Sequence, residues 1–144
     1  VKPVLFINKI DRLIKELRLT PEQMQERLAT VVTNFNALLD TYAEPEYRDK
    51  WKVSIQDGSV TFGSAKDRWG INVDVMKEKG VSFKDVITAY SEEGSVEALV
   101  EKAPLADGIL GMVVKHHPPP HVAQKYRVPK IWKGDLDSDI GKAI

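Results

Sequence analysis

A chain of 144 residues suits one ordinary domain and can bury a core. Acidic and basic residues balance at 21 each, so no bulk basicity announces nucleic acid, and such a contact would need a local patch. The lack of cysteine excludes disulfides, zinc thiolates and thiol catalysis and fits a cytoplasmic location. No apolar run nears the roughly 18 residues of a membrane span, and no signal peptide is visible.

Val4 to Ile7 is a continuous apolar run, as expected of a strand covered on both faces. Val1-Lys2-Pro3 enters it with no initiator Met and no preceding turn, so the chain reads as a piece of a larger protein. A short amphipathic helix is predicted over about Arg12 to Leu17. Thr20-Pro21-Glu22-Gln23 then marks a helix start, with Thr as N-cap, Pro at the first helical position and Gln three residues on. Met24, Leu28, Val31, Val32, Phe35, Leu38, Leu39 and Tyr42 keep the spacing of one buried face.

Glu44 to Lys50 is polar and expected to be a loop. Trp51 to Ile55 and Ser59 to Phe62 read as two strands of a hairpin, turned by Gln56-Asp57-Gly58. Trp51 and Trp69 are expected in the core. Ser82 to Asp85 starts a helix with Phe83, Val86, Ile87 and Tyr90 on one side, and another helix covers about Val96 to Glu101. Pro104 opens a helix carrying Leu105, Ile109, Leu110, Met112 and Val113, stopped by His116-His117-Pro118-Pro119-Pro120. A helical turn near Ala123 to Tyr126, a Pro129 to Trp132 segment and an acidic, glycine-punctuated tail from Gly134 complete the chain.

Two short elements carry chemistry. Asn8-Lys9-Ile10-Asp11 follows the first strand and has the form of the guanine-reading Asn-Lys-x-Asp element of GTP-binding proteins. Ligands of α/β folds sit outside the carboxyl ends of parallel strands, where this element lies. A carboxylate at Asp11 can accept from guanine's ring N–H and exocyclic amine, a donor pair that adenine lacks. The Lys9 stem can lie on the base with its ammonium in water, and Asn8 can tie the loop to neighbouring backbone. The plainer alternative is that Asn8 and Asp11 cap the following helix. Ser64-Ala65-Lys66, after another predicted strand, matches a second loop of such domains, whose backbone N–H meets the guanine carbonyl. A small Ala65 lets backbone approach the base, although small residues after a strand also make ordinary turns.

Longer matches accompany these motifs. Lys2 to Leu17, Gly58 to Ala65, Val113-Val114-Lys115-His116, Ala123 to Pro129, Ile131 to Asp135 and Ile140 to Ala143 together resemble the elongation factor 2 family of translational GTPases, archaeal type, over nearly the whole chain. His117 departs from the pattern by standing where that family usually has an apolar residue. The resemblance implies an α/β fold, a partial Rossmann-like P-loop GTPase domain with few strands, several helices and the N-terminal half of its sheet absent. It assigns 1–117 to the C-terminal part of the GTP-binding domain with its insertion, and 118–144 to the linker toward a second domain. It makes Asn8, Lys9, Asp11, Ser64, Ala65 and Lys66 the GTP/GDP base contacts, and the ribosome the partner of a translocase that moves tRNA and mRNA by one codon.

The chain lacks a Gly-x-x-x-x-Gly-Lys-Ser/Thr phosphate loop, since Leu136 and Ala143 spoil the only approach to it around Gly141-Lys142. Asp67-Arg68-Trp69-Gly70 has a switch-like Asp-x-x-Gly form but follows the Ser-Ala-Lys loop, where the family places its switch before Asn8, so it reads as a chance match. No catalytic or metal-binding residue is therefore assigned, Mg²⁺ belongs to the longer parent, and hydrolysis by this chain alone is expected to be nil. Base contacts without phosphate contacts imply weak binding, about 1 mM or roughly −4 kcal/mol. A rival reading is a scaffold or ribosome-interaction piece without nucleotide binding. An exposed edge at Val4 to Ile7 predicts a non-native homodimer. His116, His117 and His121 read as a solvated helix end rather than a metal site. Lys115, Lys125, Arg127, Lys130 and Lys133 around Tyr126 and Trp132 read as an interdomain linker, with ribosomal RNA as the alternative contact.

Overall fold

A computed structural model describes residues 2–92 and 94–143. They form two compact units, one of residues 3–116 and one of residues 117–143 with Lys2. The fold of the first is α/β. Strand β1 (Leu5–Ile7) leads into α1 (Ile10–Lys15), the long α2 (Pro21–Tyr42) and a single turn, α3 (Arg48–Trp51). Strands β2 (Val60–Ser64) and β3 (Trp69–Ile71) follow, then α4 (Val73–Lys79), α5 (Phe83–Ala89), α6 (Val96–Lys102) and α7 (Leu105–His116).

The three strands make one sheet in the order β1-β2-β3. β1 pairs with β2 in parallel, Ile7 opposite Phe62, and β2 pairs with β3 antiparallel, Phe62 opposite Ile71. Side chains alternate across the sheet. Phe62, Trp69 and Ile71 enter the main core with Ile10 of α1, Leu28 of α2 and Val75, Val86 and Leu99 of the later helices. Phe62 also meets Phe83 of α5 at a 5.5 Å ring separation. The other face receives α7. A Cβ on Gly108 would lie 2.8 Å from the Gly70 carbonyl oxygen, so only glycine lets this helix rest directly on β3.

Thr61, Asn72, Gly108 and Met112 are buried together at that contact. The Asn72 amide donates to the Thr61 hydroxyl and the Gly108 carbonyl, both at 3.1 Å. Its oxygen caps α4 by accepting from the Asp74 and Val75 N–H groups. One side chain thus joins sheet, helix start and covering helix.

Most predicted starts are formed. Thr20 and Gln23 make a reciprocal capping box at α2, and Ser82 and Asp85 make another at α5. The predicted hairpin through Asp57-Gly58 is not formed. Residues 48–51 are a helical turn, and Val53 bonds to a side chain instead of a strand: its N–H donates to Asn36 Oδ1 and its carbonyl accepts from Asn36 Nδ2, each at 2.9 Å. The Asn36 amide occupies the backbone groups a ladder would need. Asp57-Gly58 still turns, with Gly58 at φ 83, but the hairpin of the fold is β2–β3.

The single buried face predicted for α2 holds for only part of its length. Met24 and Leu28 are buried and Val32, Phe35 and Leu39 are half-buried, whereas Val31 and Leu38 are exposed and Tyr42 is 82% exposed. Only the first half of the helix meets the main core. Trp69 is wholly buried, while Trp51 is half-buried and stacks on Tyr47 at 4.8 Å.

The second unit contains α8 (Pro120–Ile131) and α9 (Asp139–Ala143). α8 is one helix where two separate segments were expected. Pro120 sits at its start, and Pro129 lies so near its end that the lost backbone bond falls in the last turns. No helix among the described residues is long and apolar enough to cross a membrane.

Candidate nucleotide-base site

Parallel pairing of β1 and β2 brings their carboxyl ends side by side, which places Asn8 and Ala65 in neighbouring loops. Asn8 Oδ1 accepts from the Lys9 N–H at 2.8 Å and from the Ala65 N–H at 3.0 Å. A single oxygen therefore joins the Asn8–Asp11 loop to the Ser64–Lys66 loop. Lys9 adopts left-handed backbone, φ 68, which costs about 1 kcal/mol for a residue with a Cβ. The bond from its N–H to Asn8 helps hold that conformation. Its side chain is exposed.

The left-handed Lys9 starts α1 two residues earlier than the amphipathic pattern predicts, so Ile10 is buried and Asp11 falls in the first turn. The helix N-terminus favours a carboxylate there. Asp11 is 9% exposed. Across the site, Ser64 is wholly buried and its hydroxyl accepts from the Asp67 N–H at 3.1 Å, closing the β2–β3 turn. Ala65 and Lys66 are the exposed residues between those two anchors.

Asp67 carries the turn's other tether. Its carboxylate accepts from the Tyr90 hydroxyl at 2.5 Å, and the same hydroxyl accepts from the indole N–H of Trp69 at 2.7 Å. Lys15 of α1 lies 4.8 Å from the centre of the Tyr90 ring. Burial, and then the bond to Asp67, pushes the Tyr90 phenol well above its ordinary range, while the Trp69 N–H opposes the shift.

Of the predicted residues, Asn8 and Ala65 are joined directly, and Lys9, Asp11, Ser64 and Lys66 flank that bond. Asp67 of the Asp-x-x-Gly run lies in the β2–β3 turn, bonded to Tyr90. Gly141-Lys142 lies in α9. Among the described residues no group of three or more His, Cys, Asp or Glu is placed to hold a metal, the three histidines included. Tyr90 is the residue that sequence reasoning read only as part of an apolar helix face. Its signal was chemical: a half-buried tyrosine hydroxyl needs a partner.

Known proteins resemble this chain over its whole length. Residues 1–119 match the family described as Elongation factor Tu GTP binding domain. Over all 144 residues the chain is 83% identical to elongation factor 2 of Cenarchaeum symbiosum (strain A), covering 20% of that protein. It is 57% identical to elongation factor 2 of Thermococcus kodakarensis, again covering 20%, and 53% identical to that of Pyrobaculum arsenaticum, covering 19%. The chain thus spans about a fifth of the length of these curated relatives. With most of its length matched, it belongs to the elongation factor Tu GTP-binding domain family.

Proposed function

We propose that this chain supplies the base-reading part of a guanine-nucleotide site in a GTP-dependent ribosomal translocase of the elongation factor 2 kind. One observation carries the reading: Asn8 Oδ1 ties together two loops at the carboxyl ends of adjacent parallel strands. In this reading Asp11 accepts from the ring N–H and exocyclic amine of guanine, and the Lys9 stem covers the base. Ala65 keeps the approach open. Its N–H is engaged by Asn8, so the next N–H of the loop, that of Lys66, donates to the base carbonyl. Ser64 fixes the turn from below through Asp67.

Phosphate binding, Mg²⁺ and hydrolysis fall to other parts of a longer protein, because the sequence holds no phosphate-loop motif. Residues 1–117 then represent the C-terminal part of the GTP-binding domain, and 118–144 the linker toward a second one. The ribosome is the partner of the complete factor, which works in the cytoplasm and uses hydrolysis to move tRNA and mRNA.

The test is an amide NMR titration with GDP, and ADP as control. GDP-selective shifts at Asn8 to Asp11 and Ser64 to Lys66 are expected, with a dissociation constant of about 1 mM because only the base is held. Asp11→Asn should abolish them. Equal shifts with ADP, or none in a well-dispersed spectrum, would overturn the reading. β1 is an edge of the sheet, so pairing with a second copy through it is expected as well. A monomeric mass with ordinary exchange protection at Leu5 and Phe6 would refute that pairing.

A further inference from the structure

The Tyr90 hydroxyl sits where packing alone would be satisfied by phenylalanine. Both of its partners belong to the β2–β3 hairpin: it donates to Asp67 in the turn and accepts from Trp69 at the start of β3. Asp67 follows the last base-loop residue directly, and its N–H is held by Ser64, the first. The ends of the exposed pair Ala65-Lys66 are therefore fixed through one half-buried carboxylate and one phenol. Tyr90 also meets α1, the helix that begins with Ile10 and Asp11, because Lys15 at the end of that helix lies over its ring. Trp69, wholly buried, gives this assembly a rigid base.

We propose that Tyr90, at the C-terminal end of α5, is a positioning residue of the guanine site. Its bond to Asp67 holds the Ser64–Lys66 loop at the distance and angle that a base carbonyl requires. The inference rests on the base-reading assignment above. It gives the Asp67 carboxylate a use and makes the C-terminal end of α5 a support of the nucleotide site that does not touch nucleotide. Precise donor placement is what such a loop needs, because a hydrogen bond weakens steeply as its angle falls.

The test compares the 144-residue chain with Tyr90→Phe, Asp67→Ala, Asp67→Asn and the double variant Tyr90→Phe/Asp67→Ala, each titrated with GDP and followed by amide exchange. Loss of a hydrogen bond to a charged group predicts about tenfold weaker GDP binding for Tyr90→Phe and for Asp67→Ala. The double variant should be no weaker than either single one, because both remove the same bond. Asp67→Asn, whose side-chain oxygen still accepts from Tyr90, should recover most of the loss seen with Asp67→Ala. Exchange should quicken at Ala65 and Asp67 in Tyr90→Phe while Phe62 keeps its protection, which separates a loosened loop from a loosened fold.

Wild-type affinity in Tyr90→Phe, multiplicative losses in the double variant, or an Asp67→Asn as weak as Asp67→Ala would overturn the proposal. If the unaltered chain shows no GDP-selective shift, the base-reading assignment fails instead. The exchange rates at Ala65 and Asp67 still decide whether Tyr90 holds the loop: unchanged rates refute it.

Discussion

Residues 3–116 and residues 117–143 use apolar side chains in opposite ways. In the first region Ile10, Val60, Trp69, Ile71, Val86 and Ala103 are buried on the faces of a small sheet. In the second, no described residue is buried, and Val122, Ile131, Leu136 and Ile140 are exposed, Ile131 by 69%. Helices form in both. The difference lies in what faces them: a sheet with two covered faces turns an apolar stripe into a core, whereas the start of α9 carries local bonds, the Ser138 hydroxyl donating to the Asp135 carbonyl and accepting from the Gly141 N–H. Helical periodicity reports a local conformation, and burial depends on what the rest of the chain supplies. α2 shows both behaviours within one helix.

Substitutions can break this comparison. The largest effect is expected from Trp69→Ala, which empties a wholly buried site and removes the donor to Tyr90, at a cost of about 3–5 kcal/mol in urea unfolding. Asn72→Ala should cost about 2–3 kcal/mol, since it uncaps α4 and leaves the buried Gly108 carbonyl with one partner fewer. Ser82→Ala, which removes one half of the α5 capping box, should cost about 1 kcal/mol. A smaller contribution is confined to alkaline pH. The folded state holds the Tyr90 proton above the ordinary value of 10.0, so that part of the stability is present below this value and is lost as pH rises past it, where only the unfolded chain ionises. Tyr90→Phe should lack that alkaline component when stability is measured against pH. Ile131→Ala should shift stability by no more than about 0.5 kcal/mol, and a loss near that of Trp69→Ala would erase the distinction between the regions.

The features legible in the sequence were the ones written locally. Thr20 with Gln23, Ser82 with Asp85, and Pro104 before an apolar helix each signal their element within a few residues, and the Asn-Lys-x-Asp and Ser-Ala-Lys motifs were visible as short strings. β3 was not, because Trp69-Gly70-Ile71 is three residues long and offers no periodicity to count. The false hairpin arose because Val53 has strand-like neighbours, while its actual partner, Asn36, is 17 residues away on a helix. Tyr90 and Asp67, 23 residues apart, are likewise joined only by the fold. At the candidate site the residue types could be named in advance, but the bond uniting the loops and the phenol beneath them could not.

The parallel register between β1 and β2 has a consequence for the order of folding. Asn8 and Ala65 are 57 residues apart, and the chain between them includes all of α1, α2 and α3. Local helices can form early, but the two loops joined by Asn8 meet only after that excursion closes, at an entropic cost that local contacts do not bear. In a refolding experiment with pulsed exchange, the Ala65 amide should gain protection after the amides of α2. The candidate site is then among the last parts of the molecule to exist, and a ligand bound there would act on the end of folding rather than its beginning.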